Sequence, residues 1–189
     1  MLILLLGPSG SGKSTVARIL VTEFGWRPLI SIVTRPERDD EIFKMSVSPR
    51  SYAMLARHGK LWSDVSQGCH QYGLLRNEVE VAIADPSAFH VVDFGLSSRN
   101  THFTGQKHLA VYVSAGDENT LRQRLVASGR PDRIEGAVQQ TRELDEWYEE
   151  NAVDEAVEKV INGEGRVMEV ATEIDRITRN WIATRNNLD

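Results

Sequence analysis

Residues 7 to 15 read Gly7-Pro8-Ser9-Gly10-Ser11-Gly12-Lys13-Ser14-Thr15 and follow directly on the apolar run Leu2 to Leu6. This is the G-x-x-x-x-G-K-[ST] pattern in the setting it requires, a short buried strand before it and an amphipathic helical pattern after it. Gly7, Gly10 and Gly12 free the backbone to curl, so that successive N–H groups point inward at an anion. The helix opening near Lys13 adds its positive N-terminal end. An ordinary glycine-rich turn needs none of these fixed residues. The stretch therefore predicts a P-loop that holds a nucleoside triphosphate, with Lys13 at the β- and γ-phosphates and the Ser14 hydroxyl on Mg²⁺.

The rest of the chain agrees with an α/β reading. Val16, Ile19, Leu20 and Phe24 recur at helical spacing, and Gly25 can close that helix in a left-handed cap. Leu29 to Val33 reads as a second strand, which Pro36 keeps from continuing in a sheet interior. Residues 39 to 75 are mixed in pattern. Within them Ser48-Pro49 starts a short helix that runs to Gly59, with Ser as N-cap and Pro in the first turn. Alternation then resumes: a helix at 76–84, a strand Phe89 to Asp93, a strand Leu109 to Val113, and a helix ending at Gly129. A charged helix at 134–151, a strand Val157 to Ile161 and a last helix through Trp181 complete it, with a polar tail after Ile182 expected to fray.

Strands alternating with helices imply a parallel sheet covered on both faces, with ligands at the carboxyl ends of the strands. The expectation is a three-layer P-loop NTPase fold in one domain. Its core comprises residues 1–34, 76–128 and 152–183, an acceptor-binding lobe occupies about 35–75, and a lid about 129–151.

Composition bounds the partners. A net charge of −5 gives no general basic field for nucleic acid. The basic residues are 17 Arg against 5 Lys, a bias that genomic base composition explains and that also suits bidentate phosphate binding. Cys69 stands alone, so no disulfide framework exists and a reducing cytoplasm is the expected compartment. The N-terminal run lacks a basic flank and breaks at Gly7, as a strand does and a signal peptide does not. No run approaches the ~20 apolar residues of a membrane helix. The five histidines show no ligand spacing.

A P-loop alone leaves an ATPase, a GTPase or a kinase open. No Asn-Lys-x-Asp segment occurs to read guanine in the GTPase manner. Arg35 and Arg38 lie three residues apart on the loop leaving the second strand, where two guanidinium groups can converge on one dianion. The alternative is a solvated turn in which they pair with Glu37, Asp39 and Asp40.

Here the sequence resembles the guanylate kinase family. The P-loop is similar to that family's loop almost residue for residue, and Thr34-Arg35-Pro36-Glu37-Arg38 with Glu41 is similar to its Thr-Arg-x-Pro-Arg-x-Gly-Glu segment. Tyr72-Gly73 and Asp93 fall near its Tyr-Gly pair and strand-end aspartates. Leu121-Arg122-Gln123-Arg124-Leu125 with Gly129-Arg130 is similar to the helix leading into its lid, and Asn162 fits the end of the last strand. The likeness runs from Met1 to about Ile182.

The resemblance implies an ATP- and Mg²⁺-dependent kinase acting on a phosphate-bearing small molecule, a nucleoside monophosphate first, as a monomer or homodimer. It implies Arg35, Arg38 and Tyr72 on the acceptor phosphate, Ser31 on the acceptor, and Asp93 on Mg²⁺, its water or the acceptor. Arg122, Arg130, Arg133 or Arg142 would close over the phosphoryl in transfer; the alternatives are a solvated Arg122 or Arg124 on the helix flank and an Arg142 paired with Glu146 at i+4.

Departures accompany the likeness. Glu41 stands where the family has a phosphate-binding tyrosine. The guanine-pairing glutamate should fall near Leu61 to Asp64, where Asp64 is the only carboxylate, and a hydroxyl residue is replaced by Leu74. Asp93 is one residue off either family aspartate, and a one-residue slip on a strand reverses the face. A ribose bisphosphate kinase, which needs no base-reading glutamate, fits this pattern as an alternative. A guanylate-kinase-like scaffold is a second alternative, against which stand the intact Lys13, Ser14 and glycines.

Overall fold

The computed structural model describes residues 1–37, 41, 43–93, 108–151 and 157–186. Its organising strand is β1 (Leu2–Leu6), buried along its whole length. Because successive side chains of a strand point to opposite faces, β1 feeds two cores at once. Leu2, Leu4 and Leu6 pack with Val92, Ala110, Tyr112, Leu144 and Trp147 on one side. Ile3 and Leu5 pack with Val16, Leu20, Val111, Val170 and Ile174 on the other.

Around β1 lie β2 (Arg27–Pro28), β3 (Ser31–Val33), β4 (Lys44–Ser46), β5 (Leu61–Gln67), β6 (His70–Leu75), β7 (His90–Asp93), β8 (His108–Ser114) and β9 (Val157–Ile161). The helices are α1 (Lys13–Phe24), α2 (Pro49–Arg57), α3 (Arg76–Ala84), α4 (Glu118–Ala127), α5 (Ile134–Asn151) and α6 (Val167–Asn186). A 3-10 turn, Pro131–Arg133, precedes α5. The main sheet has the order β2-β7-β1-β8-β9 and every pairing in it is parallel. Helices α1 and α6 cover one face and α3 and α5 the other, as the sequence leads one to expect of a three-layer α/β fold.

A second sheet, β4-β3-β6-β5, carries the antiparallel pairs β3–β6 and β5–β6. It holds a small core of Ile32, Tyr52 and Leu61, with α2 against it. Helix α2 starts as expected: the Ser48 hydroxyl accepts the Ser51 N–H at 3.1 Å, and Pro49 occupies the first turn.

Two expectations are corrected. The strand read over Leu29 to Val33 belongs to two sheets. The Leu29 N–H donates to Val91 O at 2.8 Å in the main sheet, whereas Ser31 to Val33 pair with Leu74, Gly73 and Tyr72 in the second. The chain changes sheets at Ile30, and the apolar run is continuous because both sheets bury it. The tail after Ile182 continues as helix to Asn186. The buried face of Val170, Ile174 and Thr178 nucleates that helix, and adding residues to a formed helix costs little.

Candidate functional site

The loop between β1 and α1 is built on positive-φ glycines, Gly10 at 85° and Gly12 at 88°. A Cβ on Gly12 would lie 2.2 Å from Asn162 Nδ2. Asn162 is buried at the end of β9, and its amide donates to Ser11 O at 2.8 Å, which ties the loop to the far edge of the sheet. Further along, the Ser9 N–H donates to Gln140 Oε1 of α5 at 3.3 Å.

Lys13 opens α1 and turns its ammonium back over the loop, donating to Gly7 O at 2.6 Å and Pro8 O at 3.1 Å. It lies 3.9 Å from Asp93 Oδ1. The Ser14 hydroxyl donates to Asp93 Oδ2 at 2.7 Å, and the Lys44 ammonium, reaching in from β4, is 3.7 Å from the same oxygen. Burial pushes Lys13 below the usual lysine range, against the pull of Asp93 and with the help of Lys44 and Arg130. Burial alone would raise Asp93, but Lys44, Lys13 and the Ser14 hydroxyl together hold its carboxyl below the ordinary range. The carboxylate is thus kept ionised beside a serine hydroxyl, two oxygen donors of the hard kind that suits Mg²⁺. No cluster of three or more His, Cys, Asp or Glu that could hold a metal occurs among the described residues. These two oxygens would therefore serve a cation held mainly by phosphate and water.

Across the cavity, Arg35 is almost fully buried. Its guanidinium donates to both carboxylate oxygens of Glu41 and to Pro36 O at 3.0 Å. Burial works to lower it, while Glu41 and the neighbouring Tyr72 hydroxyl outweigh that and hold it above its usual value. Glu41 is thus spent on Arg35. Arg38 lies outside the described residues, as do Asp39 and Asp40.

One cavity of about 890 Å³ joins these parts. The P-loop, with Lys13, Ser14 and Asp93, lines it together with Ser31, Arg35, Lys44 and Tyr72, and Lys44 reaches within 3.7 Å of Asp93. Arg124, Arg130 and Arg133 line it as well. Among its described lining residues six are cationic (Lys13, Arg35, Lys44, Arg124, Arg130, Arg133) and two are carboxylates (Glu41, Asp93), an excess of four positive charges. That imbalance suits a pair of phosphorylated ligands, and the volume falls in the range of ligand clefts, ~300–1,000 Å³.

Several expected residues fall elsewhere. Arg142 is exposed and does not line the cavity, because the α5 face that does so runs through Gly136, Ala137 and Gln140. Arg122 is held by Glu118 at 2.8 Å and Glu135 at 3.0 Å on the outer flank of α4. Arg124, which the sequence leaves between solvent and site, lines the cavity and donates to Gly163 O at 2.9 Å. Asp64 points away from the cavity and accepts the Tyr52 hydroxyl at 2.9 Å, while its neighbour Ser63 lines the wall and accepts the Leu74 N–H at 3.2 Å. Lys44 and Gln140 carried no motif, whereas Ser63 falls in the Leu61 to Asp64 window. Only the placement of their elements reveals Lys44 and Gln140.

No family model matches the chain. Among curated relatives, a protein named guanylate kinase from Chelativorans sp. is 38% identical over 93 residues, 44% of this chain and 40% of its own length. This chain therefore spans well under half of that relative in the matched stretch. Guanylate kinases of Symbiobacterium thermophilum (28% over 156 residues; 79% and 72% covered) and Brucella melitensis (26% over 184; 87% and 83%) match over most of both chains. The crystal structure of guanylate kinase from Anaplasma phagocytophilum superposes with a TM-score of 0.71 at 18% identity, over 95% of this chain and 84% of that one. The structural likeness shows the fold, and the sequence likenesses are to proteins named guanylate kinase.

Proposed function

We propose that this chain is a guanylate kinase-like enzyme that transfers the γ-phosphoryl group of ATP to an acceptor already bearing a phosphate, a nucleoside monophosphate first among the candidates. The observation that carries the reading is a single cavity lined both by the P-loop and by the buried Arg35 with Tyr72. A hydrolase needs only the first. Two separate phosphate-binding groups in one cavity suit a reaction that joins two phosphates.

In this reading the P-loop amides and Lys13 hold the donor, and Ser14 and Asp93 hold Mg²⁺ or its water. When bound there, Mg²⁺ would supply charge neutralisation for the donor phosphates. Arg35, Arg38 and Tyr72 seat the acceptor phosphate, and Arg130 and Arg133 stabilise the charge that spreads over the transferring group. The acceptor oxygen is already anionic, so no general base is required and positioning carries the rate. Residues 35–75 act as the acceptor lobe and 129–151 as the lid. The compartment we propose is the cytoplasm; among the described residues no helix is long and apolar enough to cross a membrane.

A second reading, a sugar-phosphate acceptor of the ribose bisphosphate type, draws on one observation. The wall beyond Tyr72 offers the Ser31 and Ser63 side chains and Leu74, and both described carboxylates of the cavity are already paired with cations. A coupled assay with ATP and Mg²⁺ across nucleoside monophosphates and sugar phosphates tests both. Turnover with any of them supports the kinase, the preferred acceptor selects between the readings, and ATP hydrolysis indifferent to every acceptor refutes both.

A further inference from the structure

Lys44 belongs to no motif, yet its side chain is 14% exposed and its ammonium sits 3.7 Å from Asp93 Oδ2. It comes from the second sheet, where β4 pairs with β3 through Ser31↔Lys44, and it lines the same cavity as Arg35 and Tyr72. Among the described residues its ion pair with Asp93 is the direct charge contact between that sheet and the P-loop side of the cavity. Asp93 therefore carries more cation than one carboxylate needs: Lys13 at 3.9 Å and Lys44 at 3.7 Å, besides the Ser14 hydroxyl at 2.7 Å.

These contacts conflict with the work the kinase reading gives Asp93. A divalent cation beside Ser14 and Asp93 would meet an ammonium already at ion-pair distance from the same oxygen, and like charges that close repel strongly. Lys13 has an alternative partner in the donor phosphates. Lys44 needs an anion of its own, and the cavity region it shares with Arg35 and Tyr72 is where the acceptor phosphate would sit. Its flexible four-carbon stem can move a point charge over a few ångströms.

We propose that Lys44 is an acceptor-phosphate ligand which, without acceptor, is held on Asp93, so that acceptor phosphate and the divalent cation each favour the other's binding. The inference rests on the kinase reading and adds to it a substrate-binding residue and a coupling. Linkage makes the coupling reciprocal: whatever factor the phosphate contributes to metal affinity, the metal contributes to phosphate affinity. A further consequence is that ATP bound without acceptor holds its metal poorly, which limits wasteful hydrolysis.

The test uses the full chain saturated with the β,γ-imido analogue of ATP. Mn²⁺ is titrated in and free Mn²⁺ is read by electron paramagnetic resonance, with and without inorganic phosphate as the acceptor probe. In the wild type, phosphate should tighten Mn²⁺ binding on the order of 10-fold, within the usual span of coupling between sites. Lys44→Met keeps the stem and removes the charge. It should bind Mn²⁺ tightly without phosphate and gain nothing when phosphate is added. Lys44→Arg keeps the charge and should retain the phosphate effect. Phosphate-insensitive Mn²⁺ affinity in the wild type overturns the coupling without reliance on any variant, as does a Lys44→Met protein that matches the wild type in both titrations. Failure of the wild type to bind the nucleotide analogue at all would instead overturn the kinase reading, and this proposal with it.

Discussion

Adding one methyl group at Gly12 tests how the P-loop is held in shape. Gly12 has φ +88°, and a Cβ there would stand 2.2 Å from Asn162 Nδ2 and 3.5 Å from Asn162 Cγ. Two costs arise in Gly12→Ala. Holding a residue with a side chain in the left-handed region costs ~1–2 kcal/mol. Relieving the clash means turning the Asn162 amide away from Ser11 O, its partner at 2.8 Å. Ser11 O would then keep only the long contact from the Arg124 guanidinium at 3.5 Å, and a buried carbonyl that loses its good partner costs ~1–3 kcal/mol. The backbone of Asn162 cannot retreat easily, since its N–H is fixed to Ser114 O at 2.8 Å. The sum is ~2–5 kcal/mol, which for a domain of this size lowers Tm by very roughly 4–20 °C.

The assay is thermal unfolding of the ligand-free protein for Gly12→Ala, Asn162→Gly and the pair together. Asn162→Gly removes the amide the new methyl would strike, so the double variant should lose less than the sum of the singles, by ~1 kcal/mol or more. Strict additivity would show that Asn162 is not what the methyl meets. A Gly12→Ala protein melting within about 2 °C of the wild type would refute the whole account of the loop.

Four other outcomes are expected. Lys13→Ala should lose phosphoryl transfer by ~10²-fold or more with little change in thermal unfolding, measured by the coupled assay, because it removes a charge aimed at the transferring group. Hydrogen exchange should slow in residues 43–75 and 129–142 when ATP and the acceptor are both bound, since transfer requires water to be excluded; unchanged exchange in both would remove the lid reading. Asp85 is held at about 2, below its ordinary 3.8, chiefly by the Ser87 hydroxyl and then the Ser87 amide. A depressed carboxyl contributes stability that is complete above 3.8 and lost as pH falls toward about 2, so Ser87→Ala should move the Asp85 carboxyl titration upward by NMR, and an unmoved titration refutes the assignment. Finally, GMP should be a poor acceptor, with kcat/KM below ~10⁵ M⁻¹s⁻¹, because Asp64 faces Tyr52 and Leu74 replaces a hydroxyl. Buried polar groups that fail to pair with a base edge can cost ~10⁴-fold.

How much of this was legible depended on whether the physics acted locally. The donor end of the cavity is one contiguous segment, in which glycine positions, lysine and hydroxyl residues follow from what a phosphate needs within nine residues. The main sheet was legible because Leu2–Leu6, His90–Asp93 and His108–Ser114 are buried strands whose apolar runs say so directly. The hairpin of β5 and β6 was not. Its inward positions include Ser63 and Gly73, so the period-2 signal that marks a half-buried strand is diluted by the residues that line the cavity. The site itself masks the strand.

The same reasoning explains why Arg35 could be placed and Lys44 could not. Arg35 leaves the end of a strand that its own residues announce, and a guanidinium only 4% exposed must have a partner, here Glu41 and Tyr72. Lys44 lies in a three-residue strand whose register is set by a partner thirteen positions earlier, Ser31. Nothing within reach of a sequence window fixes which way its side chain faces. Once that pairing is made, Lys44 and Arg35 line one cavity, and Lys44 meets an aspartate that already has a lysine. Opposed cations about a shared carboxylate are stable only while each finds enough negative charge. The arrangement therefore leans toward any ligand that brings more, and a second phosphate is the charge this cavity is short of.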